Sequence, residues 1–186
     1  MTDFSWSDLA VVSAFSLLAV VVVLTVTAVV GFRIGRHNVV DVSWGAGFVA
    51  VATAAALAGS GDGWRRVLML VLVGAWGTRL AVSMFRRSRG KGEDPRYEKM
   101  LSNAPGSPAA YAIRKIYLTQ GVALWFVSLP VQVAAVSDGS FGVVTAVGVA
   151  LWVLGIVFET VGDRQMDAFK ADASRKGTIM DRGLWR

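Results

Sequence analysis

The chain has 186 residues, 54% of them apolar and only 17% charged, with no cysteine and a single histidine. A mean hydropathy of +0.54 is too high for an ordinary soluble domain of this length, so the sequence reads as one integral membrane domain over 1–186. The missing cysteines exclude disulfides and thiolate chemistry, and the lone His37 excludes a multi-histidine metal site within the chain; no metal is expected. The net charge of +6 would suit nucleic acid, but its distribution argues against that partner: the basic residues crowd into alternate loops, the pattern of a membrane protein.

In chain order, five apolar stretches lie between charges: 9–32, 42–61, 67–85, 116–136 and 140–158. Each is roughly 20 residues long, enough for a helix to cross about 30 Å of hydrocarbon. The first is not a signal peptide, because its flank carries Asp3 and Asp8 but no Lys or Arg, and its apolar run is too long. The expected fold class is therefore an all-α polytopic bundle of about five transmembrane helices. Arg33 and Arg36, the run from Arg86 to Lys115 and the cations from Arg164 onward all fall on one side, leaving Arg65 and Arg66 on the other. Retention of positive charge predicts a cytoplasmic loop over 86–115, a cytoplasmic tail over 159–186 and an outside N-terminus. The excess charge favours anionic lipid headgroups or a phosphate-bearing ligand. The tail opens as a continuation of helix five, an amphipathic helix that persists to about Ser174, with Glu159, Asp163, Asp167 and Lys170 on one face.

Several residues stand out as carriers of chemistry. Arg79, in "WGTRL", is the one charge inside a span; it either faces the bundle and finds an anionic or carbonyl partner, or snorkels to the interface. Asp41 opens helix two, where a carboxylate is stabilised by the helix N-terminus, and is a plausible partner for Arg79. The loop "GEDPRY" gathers Glu93, Asp94, Arg96 and Tyr97; Arg96 could grip a phosphate bidentately, and Tyr97 could stack or donate a hydrogen bond. A solvated charged loop is the plainer reading. Gln120 is read as a fastener between helices, and Pro130 as a bend in helix four. Glu159 and Asp163 form an acid pair at i, i+4 whose mutual repulsion calls for a cation, a shared proton or hydrogen-bond donors such as the hydroxyls of a nucleotide.

The ordered set "NVVDVSWG", "WGTRL", "GEDPRY", "QGVALWFVSLP", "FETVGDRQMDAFK" and "GLWR" resembles the bacterial membrane family called domain of unknown function 1295, grouped with the C-terminal domain of the steroid 5-alpha-reductases. The likeness runs from about Asn38 to Arg186. It implies a multi-pass protein of the bacterial cytoplasmic membrane, surrounded by membrane lipids, that binds NADPH and reduces a carbon–carbon double bond in a lipid-like substrate. It also implies that Arg79 and Asp163 hold the cofactor, that Glu159 stands where the steroid enzymes carry an Asn, and that Lys170 replaces an Arg near phosphate, keeping the charge but losing the fork. Arg96 joins this expected cofactor set, with Asp41, Glu93, Asp94, Tyr97 and Gln120 in support. Trp76 stands where the steroid enzymes place a catalytic Tyr, and an indole N–H can donate a hydrogen bond but cannot act as a phenolic acid.

In that family "GLW" is followed by a segment resembling R-Y-T-R-H-P-N-Y-x-G-E and two further helices. The expectation is a chain that stops before the second half of its nucleotide site and is inactive alone. Two other readings stay open: an S-adenosylmethionine-dependent membrane methyltransferase, which shares the "GLW…RHP" feature, and a shortened, non-catalytic membrane protein completed by another chain or by a second copy.

Overall fold

The computed structural model describes residues 4–186. Among the described residues eight α-helices run in chain order: α1 Trp6–Ile34, α2 Val39–Ala58, α3 Gly63–Ser88, α4 Pro95–Ser102, α5 Pro108–Ala112, α6 Thr119–Val127, α7 Leu129–Ala135 and α8 Val143–Ala171. A π-helical stretch, Ile113–Leu118, joins α5 to α6, and short 3-10 turns occupy Ala173–Arg175 and Gly183–Trp185. No strand occurs among the described residues. The protein is all-α, with α1, α2, α3 and α8 long and apolar enough to cross a membrane and one more, bent crossing from Pro108 to Ala135, fourth in chain order. The chain divides into two compact units, one up to Gly139 and one from Ser140 to Arg186.

In the first unit α2 is the central element and packs on both α1 and α3. Its buried face, Val40, Ser43, Gly45, Gly47, Phe48, Val51, Ala52 and Ala55, is dominated by small residues. In lipid, helices gain little from hiding apolar surface, so close backbone approach and dense packing must hold them together. Gly45 and Gly77 supply that approach: a Cβ on Gly45 would collide with the Gly77 carbonyl and lie 2.6 Å from the Ala81 nitrogen, while one on Gly77 would lie 2.7 Å from the Gly45 carbonyl. Leu124 of α6 presses on Gly47 of α2.

The ends of the helices are closed locally. Ser5 caps α1 by accepting from the Asp8 amide at 3.2 Å, and Gly35, in the left-handed region at φ 66°, ends it. At the end opposite to the basic loop, Asp8 accepts from Ser60 Oγ at 2.5 Å, and the Gly61 amide donates to Ala135 O at 3.0 Å.

The sequence boundaries shift in physically instructive ways. Span one extends to Trp6–Ile34, span two slides to Val39–Ala58 and span three extends to Gly63–Ser88, taking flanking polar residues such as Asp8, Arg65 and Arg86 into the helices. The fourth crossing is not the straight helix expected over 116–136. It starts at Pro108 and bends by 42° between Val127 and Leu129. Pro130, in the first turn of α7, has no N–H for the preceding ladder, so the bend expected from it is present, at Ser128. Side chains take up a carbonyl at the bend: Trp125 O accepts from Ser128 Oγ at 2.8 Å and from Gln132 Nε2 at 3.3 Å, and Gln132 Nε2 also donates to Ser128 Oγ at 2.8 Å. The loop expected over 86–115 holds α4 and the start of the fourth crossing, and the tail helix ends at Ala171, three residues short of Ser174.

Gly45→Leu should cost about 1–3 kcal/mol of stability by overpacking the α2–α3 crossing, read as a lower midpoint for unfolding by SDS in mixed micelles. Gly74→Ala, whose Cβ meets nothing within 4 Å, should stay within about 0.5 kcal/mol of the parent.

Candidate functional site

The densest polar cluster of the first unit is built by "GEDPRY" folding onto the N-terminus of α2. All four of its charged or phenolic side chains have structural partners that residue type alone does not disclose. Asn38, the N-cap of α2, makes no side-chain cap of its own. Glu93 does so instead: its carboxylate accepts from the His37 amide and, at 2.9 Å, from the Asn38 amide. Asn38 Nδ2 returns a bond to Gly92 O at 2.9 Å, and the Arg36 guanidinium donates to Lys91 O. Helix N-termini leave backbone donors unmatched and carry partial positive charge, which is the reason a carboxylate from a distant loop settles there.

The next residue repeats the device on a second helix. Asp94 is the N-cap of α4 and accepts from the Arg96 amide at 2.8 Å, with Pro95 in the first turn, where its missing N–H costs nothing. The Arg96 side chain closes on the same carboxylate through Nε and Nη2, both at 3.0 Å, and lies 3.8 Å from Asp41 Oδ2. The fork that could grip a phosphate is thus engaged by Asp94. That pairing holds the Asp94 carboxyl below, and the Arg96 guanidinium above, their ordinary ranges.

Tyr97 is buried and donates from its hydroxyl to Asp41 Oδ1 at 3.1 Å. Burial first, then the charge of Asp41 and the hydrogen bond to it, raise the phenol well above its usual value. Asp41 does sit in the first turn of α2 as expected. The described partners of its carboxylate are Tyr97 and Arg96, where the sequence had suggested Arg79.

Two further contacts tie the fourth crossing to this end of the unit. Gln120 Oε1 accepts from Trp44 Nε1 at 2.5 Å, the interhelical fastening expected of it. Tyr117, inside the π-helical stretch, places its hydroxyl 2.8 Å from His37 Nδ1, and both residues are buried. The wider turn of a π segment re-aims side chains, and such segments are frequent at functional sites. The His37–Tyr117 pair escapes sequence reasoning because its two members lie 80 positions apart. Trp76 stacks edge-on against Phe48, ring centroids 5.3 Å apart, and Arg79 lies one turn further along α3, partly buried.

In the second unit Glu159, Asp163, Asp167 and Lys170 lie on one face of α8, as the helical register requires. The "GLW" segment folds back onto that helix. Gln165 Oε1 accepts from the Leu184 amide at 2.9 Å, and Trp185 Nε1 donates to Gly162 O at 2.9 Å. Gly183 sits at φ 62° directly over Gln165, a backbone conformation and a clearance that only glycine meets easily. The motif "D-x-Q" followed by "GLW" is therefore a lock between a helix and the segment after it. Beside it a hollow of about 330 Å³ is lined by Gln165, Ala168, Phe169, Asp172, Arg175, Met180, Arg182 and Gly183. Asp172 caps the following turn through the Ser174 amide and hydroxyl and pairs with Arg175 Nε at 2.8 Å, which keeps its carboxyl below the usual range.

Membrane-spanning helices, a clamped basic loop and a folded-back tail place the chain in the class of multi-pass helical membrane proteins. A family model matches residues 27–186, and the chain belongs to that family, described as Protein of unknown function (DUF1295). No curated protein and no solved structure matches it.

The raised Tyr97 phenol gives an alkaline signature. Its neutral form stabilises the fold fully below the unfolded value of about 10, and that contribution is lost as pH rises beyond it, because only the unfolded chain then ionises. SDS-unfolding free energies measured from about pH 9 to 11 should fall in the parent by up to about 1.4 kcal/mol per pH unit more steeply than in Tyr97→Phe. Parallel curves for the two proteins would remove Tyr97 from the account.

Proposed function

We propose that the chain is the nucleotide-binding part of an NADPH-dependent membrane reductase acting on a carbon–carbon double bond in a lipid-like substrate. The observation that carries this reading is the hollow beside the "GLW" lock, where Phe169, Asp172, Arg175 and Arg182 gather; the expected Glu159, Asp163 and Lys170 fall on the opposite face of α8 and do not line it. An aromatic ring suits an adenine, guanidinium groups suit phosphates, and the Asp172 carboxylate suits ribose hydroxyls; Arg175 is bonded to Asp172 through Nε and lies over the Phe169 ring at 5.8 Å, so a phosphate would meet its Nη groups and an adenine would share that ring. At about 330 Å³ the hollow is at the small end of ligand pockets, which run from roughly 300 to 1,000 Å³; it fits one nucleoside with its phosphate rather than a whole dinucleotide. When bound, NADPH supplies hydride; the chain's residues would hold and orient its phosphate-bearing half.

The same carboxylate, Asp172, would serve the ribose of S-adenosylmethionine equally well. Arg175 and Arg182 favour the phosphate-bearing cofactor, because S-adenosylmethionine has no phosphate for them to neutralise.

Titration of the protein in lipid nanodiscs with NADPH, followed by nicotinamide fluorescence, should give saturable binding that weakens with salt and is stronger than for NADH. Arg175→Gln with Arg182→Gln should weaken it by tenfold or more, with excess S-adenosylmethionine unable to compete. Binding of S-adenosylmethionine in preference to NADPH would favour the methyltransferase, and binding of neither would leave a non-catalytic membrane protein.

A further inference from the structure

The first unit carries a second feature, on its own helices, that the nucleotide reading does not use. An apolar groove of about 670 Å³ runs between α1 and the fourth crossing, with Leu17, Val21, Val29 and Phe32 on one wall and Leu118 and Val122 on the other. Leu17 to Phe32 spans about 22 Å of helix at 1.5 Å per residue, longer than the ~15 Å depth of one leaflet of a 30 Å hydrocarbon core. The groove is thus long enough to take a leaflet's acyl chain over its full depth.

Its mouth is basic on both walls. On α1 the row Leu17, Val21, Thr25, Val29 continues at the next i+4 step to Arg33, and on the other wall Arg114 precedes Leu118 and Val122 in the same way, with Lys115 beside it. Arg33, Arg114 and Lys115 are all exposed and make no ion pair among the described residues. The Arg114 guanidinium lies over the Tyr111 ring at 5.7 Å. No Asp or Glu occurs in 9–40 or in 99–137, the segments that form the walls. Of the acids folded toward this end, Glu93 is engaged by the His37 and Asn38 amides, Asp94 by Arg96 and Asp41 by Tyr97 and Arg96, and Glu98, on α4, makes no ion pair with these cations among the described residues. An apolar slot of leaflet depth opening between unpaired cations at the interface is complementary to one kind of molecule, a chain with a fixed negative charge at its head.

We propose that this groove is a selective site for an anionic glycerophospholipid, one acyl chain lying between α1 and the fourth crossing and the phosphate held between Arg33 and Arg114. Zwitterionic phospholipids fit the slot equally but present a compensating ammonium to the same cations, so the discrimination resides in the headgroup.

The test is native mass spectrometry of the full chain released from detergent with defined lipids. Phosphatidylglycerol should be retained at least fivefold over phosphatidylethanolamine of the same chain length. Arg33→Gln with Arg114→Gln should abolish that preference while weak binding of both lipids persists. Val122→Trp, which fills the groove from an exposed wall position, should reduce retention of both lipids. Equal retention of the two lipids by the parent, or an undiminished preference in the double variant, would overturn the proposal. So would displacement of phosphatidylglycerol by glycerol phosphate, which would make the site a headgroup site without a groove, or preferential retention of a polyprenyl phosphate. A dimer that excludes lipid from the groove would assign it to a second copy of the chain instead.

Discussion

One carboxylate, that of Glu93, does for the first unit what no residue of α2 can do for itself. A helix that begins at a membrane interface leaves backbone donors open, and each buried donor left unmatched costs about 1–3 kcal/mol. Asn38 does not cap its own helix, so the acceptor comes from a loop 55 residues away. The same contact that completes α2 fixes where the loop lies, and everything downstream follows from that placement. Asp94 then starts α4, Pro95 rigidifies its first turn, and Tyr97 arrives against Asp41. Arg96, set between two carboxylates, keeps the cluster from being an uncompensated concentration of negative charge.

The rest of the unit shows a second constraint, that in hydrocarbon a broken backbone must be repaired by its neighbours. The fourth crossing is interrupted twice, by the π-helical stretch at Ile113–Leu118 and by the bend at Ser128. Each break is attended by buried side chains that take up hydrogen bonds: Tyr117 with His37 at the first, Ser128 and Gln132 at the second. Two breaks in one helix also allow it to follow α1 at a distance that leaves a groove on one side while Leu124 still reaches Gly47 on the other. In the second unit the repair is of a different kind, with Gln165 and the Gly162 carbonyl binding the returning "GLW" segment to α8.

The number and approximate placement of the spans were legible because hydrocarbon thickness imposes a length and a composition that sequence displays directly. Pro130 announced its bend for an equally local reason, a missing donor. Asp41 was legible as a helix-opening acid, and Gln120 as an interhelical tie, since an amide inside a span has few other uses. What sequence could not supply was pairing over distance. Glu93 looked like one acid of a solvated loop, because nothing local marks an acceptor that serves a helix 55 positions away. Arg96 looked like a free fork, although Asp94 two residues earlier holds it. The π-helical stretch has no glycine or proline to signal it. Gln165 was visible as part of a motif, but its role required knowing that the chain turns back over it at Gly183.

The central claim is that Glu93 joins two structures that would otherwise be independent, the start of α2 and the strap from Lys91 to Ser102. Hydrogen–deuterium exchange of the protein in nanodiscs, compared between the parent and Glu93→Ala, reads this directly. The account predicts that amides at His37 and Asn38, and those through α4, exchange at least tenfold faster in the variant while the middle of α2 keeps its protection. Unchanged protection of α4, with loss confined to His37 and Asn38, would reduce Glu93 to a local cap and contradict the claim that it organises the loop.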